Sequence, residues 1–97
     1  MDQTPEIRVT LTEGAIDRLA SRNPNLRDKH GRPKHSAILD ASGVSRTQWW
    51  NIRKGFRDAD TETQKRLVAL DASSGRISVE ESYDDLFTAV MNARAAA

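Results

Sequence analysis

A short polar segment in the middle of the chain combines residue types that hydrogen-bond the edges of DNA bases. Arg46 can donate two hydrogen bonds to O6 and N7 of guanine, and Asn51 can pair with N6 and N7 of adenine. Thr47 can meet a thymine methyl group or a phosphate. Arg53 and Lys54 suit phosphate oxygens, as do backbone N–H groups where a helix begins. If the segment is helical, its chemistry is that of a major-groove contact.

Helical geometry sorts this segment into two faces, at about 100° per residue. Trp49, Ile52 and, if the turn continues, Phe56 share the face that we predict is buried. The opposite face carries Thr47, Trp50, Asn51 and Lys54. Trp50 is the apolar member of that face and has two interpretations. It contacts a thymine methyl group or a sugar edge, which places it among the predicted base contacts, or it packs over the preceding helix or under the loop before that helix.

The residues just before the segment predict a sharp turn between two helices. Gly43 suits a left-handed backbone conformation that ends one helix and redirects the chain. Ser45 can begin the next helix, because its hydroxyl can accept from the N–H of Gln48 while the Gln48 side chain reaches back, as in a capping box. Gly55 ends that helix. Two short helices joined by a glycine-containing turn predict a helix-turn-helix unit over residues 33–55.

The other elements complete a mainly α fold in a single domain over residues 1–97. Residues 7–11 alternate apolar and polar side chains, which predicts a short strand, and residues 86–90, ambiguous between helix and strand, would pair with it. Pro33 suits the first position of a helix, since its missing N–H would be unpaired there. We expect five helices, which begin near residues 13, 33, 45, 60 and 78, one two-stranded sheet, and a frayed end over residues 92–97.

The charge distribution along the chain is uneven. Residues 1–21 and 58–97 are net acidic, whereas residues 22–57 carry nine Lys or Arg against only Asp28 and Asp40. A basic middle between acidic ends is what a polyanion-binding surface requires. The nine cations are Arg22, Arg27, Lys29, Arg32, Lys34, Arg46, Arg53, Lys54 and Arg57.

Catalytic and metal sites are not expected. The absence of cysteine excludes disulfides and thiolate ligands. The histidines His30 and His35 lie in or beside a loop without evident carboxylate partners, and the pair Asp84–Asp85 is interpreted as a solvated helix end rather than a cation site. No apolar run reaches the length of a membrane span, and the first residues lack the apolar stretch of a signal peptide. We expect a cytoplasmic protein without cofactor, metal or small-molecule ligand, and not an enzyme.

Residues 36–55, with the spacing Gly-Val-Ser-x-x-x-Trp-x-x-Ile, resemble the Cro/lambda-repressor-like (XRE) DNA-binding domain. Residues 7–19 are similar to the strand-then-helix opening of small actinobacterial and actinophage members, and residues 83–87 to the ending that closes their last helix. The resemblance covers about residues 6–90. It implies a bundle of five helices, operator binding, often as a homodimer, and repression of the phage Cro or immunity type by covering a promoter in a bacterial cell.

The resemblance also assigns roles by position. Ser45, Arg46, Thr47 and Asn51 fall where family members touch bases, and His35 falls where the start of the second helix meets a phosphate. Family members usually have glutamine at the position of His35. The predicted phosphate contacts are His35, Arg53, Lys54, Arg57, Lys34 and Arg32. The link of residues 23–34 is longer than in the family and basic; it is either an arm that follows the DNA backbone or a disordered insertion.

A protein-interaction module with the same fold, such as an antitoxin or anti-repressor, is the alternative. The acidic C-terminal segment would be its contact surface through Tyr83, Leu86, Phe87 and Val90, unless those residues close the core over the first and fourth helices. A pure interaction module has no need for the cations and the asparagine around residues 46–54. This cluster therefore favours DNA.

Overall fold

The computed structural model describes the backbone of residues 6–92 and the side chains of residues 7–89. It confirms the predicted mainly α fold, with five helices and one small sheet in the described part of the chain. The elements in order are β1 (Glu6–Leu11), α1 (Ala15–Arg22), a 3₁₀ turn (Pro24–Leu26), α2 (His35–Ser42), α3 (Arg46–Arg53), α4 (Thr61–Ala72), α5 (Val79–Leu86) and β2 (Phe87–Asn92). The end predicted to fray is residues 92–97, of which residues 93–97 lie outside the described part of the chain. Within residues 6–92, every helix is too short or too polar to cross a bilayer.

The two strands form an antiparallel pair that links the two ends of the described chain. Leu11 is opposite Phe87, which confirms the predicted pairing of residues 7–11 with the segment 86–90, except at Leu86. The strand β2 begins after Leu86, because Leu86 is the last residue of α5. The N–H of Ala59 donates to the carbonyl of Val9 at 2.9 Å, so the segment before α4 is also attached to the sheet.

The core is mainly aliphatic and takes side chains from all five helices. Leu86 and Phe87 are buried and Tyr83 packs against the core, so the interpretation that they close the core is confirmed; the side chain of Val90 lies outside the description. The buried apolar residues are Ala15, Leu19, Ala20, Leu26, Ile38, Leu39, Val44, Trp49, Ile52, Ala59, Leu67, Val68, Leu86 and Phe87.

Gly43 makes the turn between α2 and α3, as the sequence predicts. Its φ of 78° is left-handed, and its N–H donates to the carbonyl of Leu39 at 2.8 Å. Val44 follows with a buried side chain, and Ser45 caps α3. The turn therefore fixes the direction in which the chain enters α3.

The predicted start of α2 at Pro33 is wrong. Lys34 has extended backbone angles and donates its N–H to the carbonyl of Leu26 at 2.7 Å, so the helix begins only at His35. Pro33 instead lies opposite Arg27 in an isolated antiparallel bridge. The basic link is therefore a folded turn rather than a continuation of the helix.

We expect Gly43→Ala to lower the free energy of unfolding more than Gly31→Ala. Both glycines have positive φ, 78° and 81°, so alanine costs roughly 1–2 kcal/mol at either position. At Gly43 a Cβ would also lie 2.6 Å from Nη1 of Arg66, so this flexible side chain must shift and give up its 3.5 Å hydrogen bond to the carbonyl of Ser42, a small additional loss; nothing lies within 4 Å at Gly31. Urea unfolding of the two variants measures the difference. Equal losses would mean that Arg66 moves aside at no cost.

A partly buried ionic network, centred on the buried Asp71, joins α1, α4 and α5. The carboxylate of Asp71 is fully buried and accepts two hydrogen bonds from Arg22, both at 2.8 Å. It also accepts from the hydroxyl of Ser82 at 2.6 Å. Arg22 donates further to Asp85 at 2.7 Å, and Asp85 accepts from Nε of Arg18 at 2.9 Å. Five side chains from three helices thus satisfy one another.

The network corrects the interpretation of Asp84–Asp85 as a solvated helix end. Asp84 is exposed, but Asp85 is a member of the network. Burial acts against the charged form of Asp85, but hydrogen bonds from Arg22 and Arg18 outweigh it and lower the pKa of this carboxyl. The hydrogen bond to Asp71 raises the pKa of Arg22. No local pattern reveals these pairs, because Arg22 and Asp71 are 49 positions apart.

Candidate nucleic-acid interface

The helix α3 is fixed to the core by one face and leaves the other at the surface. Trp49 and Ile52 are buried, as predicted. The side chains predicted to meet bases lie elsewhere on the helix: Ser45, Arg46, Thr47 and Trp50 are exposed, and Asn51 is half-buried. The structure thus brings the five predicted base-contacting residues onto one capped helix.

The start of α3 is held by its cap and by a link to α4. The hydroxyl of Ser45 accepts from the N–H of Gln48 at 3.1 Å, as predicted. The Gln48 side chain does not reach back to Ser45, which corrects the predicted capping box. Its amide nitrogen, Nε2, instead lies 3.4 Å from Oδ2 of Asp60 and 3.4 Å from Oγ1 of Thr63, because the start of α4 offers acceptor oxygens on that side. The remaining N–H groups of the first turn stay available to an anion.

The end of α3 carries an aromatic pair. Phe56 is 66% exposed, so its predicted burial is wrong: Gly55 adopts a left-handed φ of 76° after the helix and takes Phe56 out of helical phase. The Phe56 ring packs edge-on against Trp50, with centroids 5.3 Å apart. Trp50 itself is 47% exposed, and Nζ of Lys54 lies 6.0 Å from its ring centroid. The aromatic neighbour of Trp50 is therefore Phe56.

His35 connects the start of α2 to α3. The indole Nε1–H of Trp49 donates to Nδ1 of His35 at 3.0 Å, a contact that spans 14 positions and that the sequence did not predict. Burial lowers the pKa of His35, the positive charge of Arg53 lowers it further, and the negative charge of Asp17 opposes them. A neutral imidazole that accepts at Nδ1 carries its proton on Nε2. His35 can therefore donate one neutral N–H, as a glutamine amide does.

The stability of the α2–α3 contact is expected to fall on mild acidification. The pKa of His35 in the folded protein lies below its ordinary value of 6.5, so the unfolded chain binds more protons as the pH falls through that range. Stability is full above about pH 6.5 and decreases below it. Urea unfolding at about pH 7.5 and about pH 5.5 measures this loss, which His35→Gln should reduce, because glutamine keeps an acceptor for Trp49 without titrating. An identical loss in the variant would assign the effect to groups other than His35.

The cations among the described side chains fall into two classes. Arg8, Arg18, Arg22 and Arg66 form ion pairs with carboxylates. The six residues predicted to contact phosphates show no such pair with a described carboxylate, and the five that carry a full positive charge are exposed: Arg32, Lys34, Arg53, Lys54 and Arg57. Arg46 is likewise exposed and unpaired among the described side chains. These charges are therefore available to a polyanion.

The chain was compared with models of protein families, with curated proteins and with solved structures, and none of them matches it. The similarity of residues 36–55 to the Cro/lambda-repressor-like domain therefore stays a prediction from the sequence.

Proposed function

We propose that the protein binds double-stranded DNA in a sequence-specific way by inserting α3 into the major groove. The observation that carries this proposal is the division of α3 into a buried face, with Trp49 and Ile52, and a surface set of base-reading residue types, all exposed except the half-buried Asn51. An α-helix fits the width of the major groove of B-DNA, where each base pair presents a distinct pattern of donors and acceptors.

The chemistry of base recognition is divided between the two ends of the helix. Arg46, at the first turn, donates two hydrogen bonds to O6 and N7 of guanine, and Asn51, one and a half turns later, pairs with N6 and N7 of adenine. Thr47 meets a thymine methyl group, and Ser45 reaches a base edge beside it. Trp50 lies beside them with an apolar surface for a methyl group or a sugar.

Phosphate contacts flank these bases. His35 donates its Nε2–H to one phosphate, which supplies the donor that the family's glutamine would provide. Arg53, Lys54 and Arg57, exposed and without a described carboxylate partner, contact others. The neutral state of His35 makes its contact insensitive to charge screening, whereas the other three contacts weaken with salt.

The biological consequence is repression by occlusion. A protein that occupies the major groove at a promoter excludes polymerase without any catalytic step. Two copies on an operator with two-fold symmetry would place their α3 helices one helical turn apart, about 34–36 Å. Sedimentation of the protein with and without its operator measures this stoichiometry.

Selection of binding sites from a pool of random duplexes tests the function. The enriched duplex and a scrambled duplex of equal composition are then titrated while the tryptophan fluorescence is followed, since Trp49 and Trp50 both lie in α3. We expect one enriched motif and a loss of affinity of about 10³-fold between about 50 and 200 mM salt if about six phosphates are contacted. Absence of binding to any duplex at low salt would overturn the proposal.

A protein-interaction module is the second candidate, and the exposed Trp50–Phe56 pair is the observation that favours it. Exposed aromatic pairs are frequent in protein interfaces. On this alternative, the patch at the end of α3 rather than the C-terminal segment would be the contact surface, because Leu86 and Phe87 are buried. A purified protein that enriches no duplex would favour this alternative.

A further inference from the structure

The basic link between α1 and α2 is folded into a hairpin, residues 27–34, hereafter the basic hairpin. Its base is closed by the bridge between Arg27 and Pro33 and by the 2.7 Å hydrogen bond from Lys34 N–H to the carbonyl of Leu26, whose side chain is buried in the core. Its two sides are joined by the N–H of Asp28, which donates to the carbonyl of Arg32 at 2.8 Å, and its tip is closed by the N–H of Gly31, which donates to the carbonyl of Asp28 at 3.0 Å. The backbone of this segment is therefore organised before any partner binds.

The one carboxylate of the basic hairpin, that of Asp28, hydrogen-bonds to the hairpin's own backbone. Oδ1 of Asp28 accepts from the backbone N–H groups of His30 and Arg32, at 2.8 and 3.0 Å. The hydrogen bond from Arg32 is the largest cause that lowers the pKa of Asp28, so this carboxylate stays ionised and serves as the turn's internal acceptor. The side chains of Lys29, Arg32 and Lys34 are exposed, and no described carboxylate pairs with them.

The basic hairpin leads directly into the proposed interface. Lys34 precedes His35, the first residue of α2, and His35 bonds to Trp49 of α3. The charge of Arg53 is close enough to His35 to lower its pKa. The basic hairpin therefore ends where the start of α2 contacts α3.

We propose that the basic hairpin is a second DNA-contacting surface, which lies along the phosphate backbone beside the major-groove site and lengthens it. A hairpin of this size spans on the order of 10 Å, about the rise of three base pairs along one strand. Three exposed cations on a preformed backbone match about three phosphates, and they lie outside α3, the helix that we propose enters the major groove. The contact is sequence-independent. It rests on the proposed function, because it presumes that α3 occupies the adjacent groove.

Neutralisation of the hairpin tests the proposal on the enriched duplex. The variant Lys29→Gln, Arg32→Gln, Lys34→Gln is compared with wild type and with the control Lys65→Gln, Arg76→Gln, which removes exposed cations outside the hairpin. Each protein is titrated against the full duplex and against a duplex shortened by about three base pairs on the hairpin side, at several salt concentrations. Circular dichroism checks that all three proteins are folded.

The hairpin variant is expected to bind the full duplex more weakly, and the slope of log affinity against log salt should become shallower by about 2–3, at about 0.9 per phosphate. On the shortened duplex, wild type and hairpin variant should converge, while the control should match wild type on both duplexes. The preference for the enriched motif over a scrambled one should be unchanged. If wild type binds its motif but the hairpin variant behaves like the control, the hairpin proposal is wrong. If wild type binds no duplex, the proposed function itself fails.

Discussion

Replacing Asp71 by asparagine is expected to lower the free energy of unfolding by about 3–5 kcal/mol, the cost of breaking a buried ion pair by removing one partner. Asp71 has no exposed area and is the point where α1, α4 and α5 meet through Arg22 and Ser82. An asparagine keeps one acceptor oxygen, but its NH2 group replaces the second acceptor, and a guanidinium cannot accept a hydrogen bond from it, whereas the Ser82 hydroxyl can. Arg22 would be left partly buried with one carboxylate fewer.

Urea unfolding followed by tryptophan fluorescence measures this loss, and Asp84→Asn is the matched control. Asp84 is an exposed acid on α5, outside the network, so its replacement should change stability by about 0.5 kcal/mol or less. Each kcal/mol lost lowers the Tm of a domain of this size by about 4–8 °C, so Asp71→Asn should lower Tm by at least about 12 °C. The loss is a large part of the total stability of about 5–15 kcal/mol that such domains have. A loss equal to that of Asp84→Asn would show that the ionic network contributes nothing beyond packing.

The same network makes the fold sensitive to acid. The pKa of Asp85 is lower in the folded protein than its ordinary value of 3.8, so the unfolded chain binds more protons as the pH falls through that range. The stability that Asp85 contributes is full above about pH 5 and is lost as the pH falls through its folded pKa. Protonation of this carboxylate should therefore contribute to acid unfolding, together with that of Asp28 and Asp60, whose pKa values are also lowered.

Local signals predicted most of the helix-turn-helix unit. Gly43 is the residue that a left-handed turn favours, Ser45 has a hydroxyl at the right spacing from the Gln48 N–H, and Trp49 and Ile52 follow at helical spacing. Each of these signals lies within a few positions of the element that it describes. They are sufficient to place α3 and its exposed side chains.

The failures arise where distant residues decide. Whether Asp85 is solvated depends on Arg18 and Arg22, which are more than 60 positions away in the chain. Pro33 could begin a helix, but the hydrogen bond from Lys34 to Leu26 holds the backbone extended there. Similarly, the hydrogen bond between His35 and Trp49 could not be predicted, because the two residues are 14 positions apart and Trp50 is adjacent to Trp49. Tertiary contacts override the local preference in each case.

Arg46 and Asn51 are the residues whose replacement should remove sequence recognition. Arg46→Ala and Asn51→Ala are each expected to weaken binding to the enriched duplex by about 1–3 kcal/mol, because each removes one bidentate base contact. The two together should cost on the order of 10²- to 10⁴-fold in affinity. Neither substitution should alter the free energy of unfolding. The Arg46 side chain is exposed, and neither side chain forms a hydrogen bond with the described residues.

Lys54→Ala is the matched control from the same helix, and it separates base recognition from charge. Lys54 is an exposed cation at the end of α3, so its loss should weaken the enriched and the scrambled duplex alike and make the salt slope shallower by about 0.9. Arg46→Ala should instead lower mainly the ratio of the two affinities. It should also abolish the penalty for replacing one particular G·C pair of the motif, since a base change is costly only while its partner side chain is present. If every base pair keeps its full penalty in Arg46→Ala, this arginine contacts phosphate rather than guanine, and specificity must come from other residues of α3.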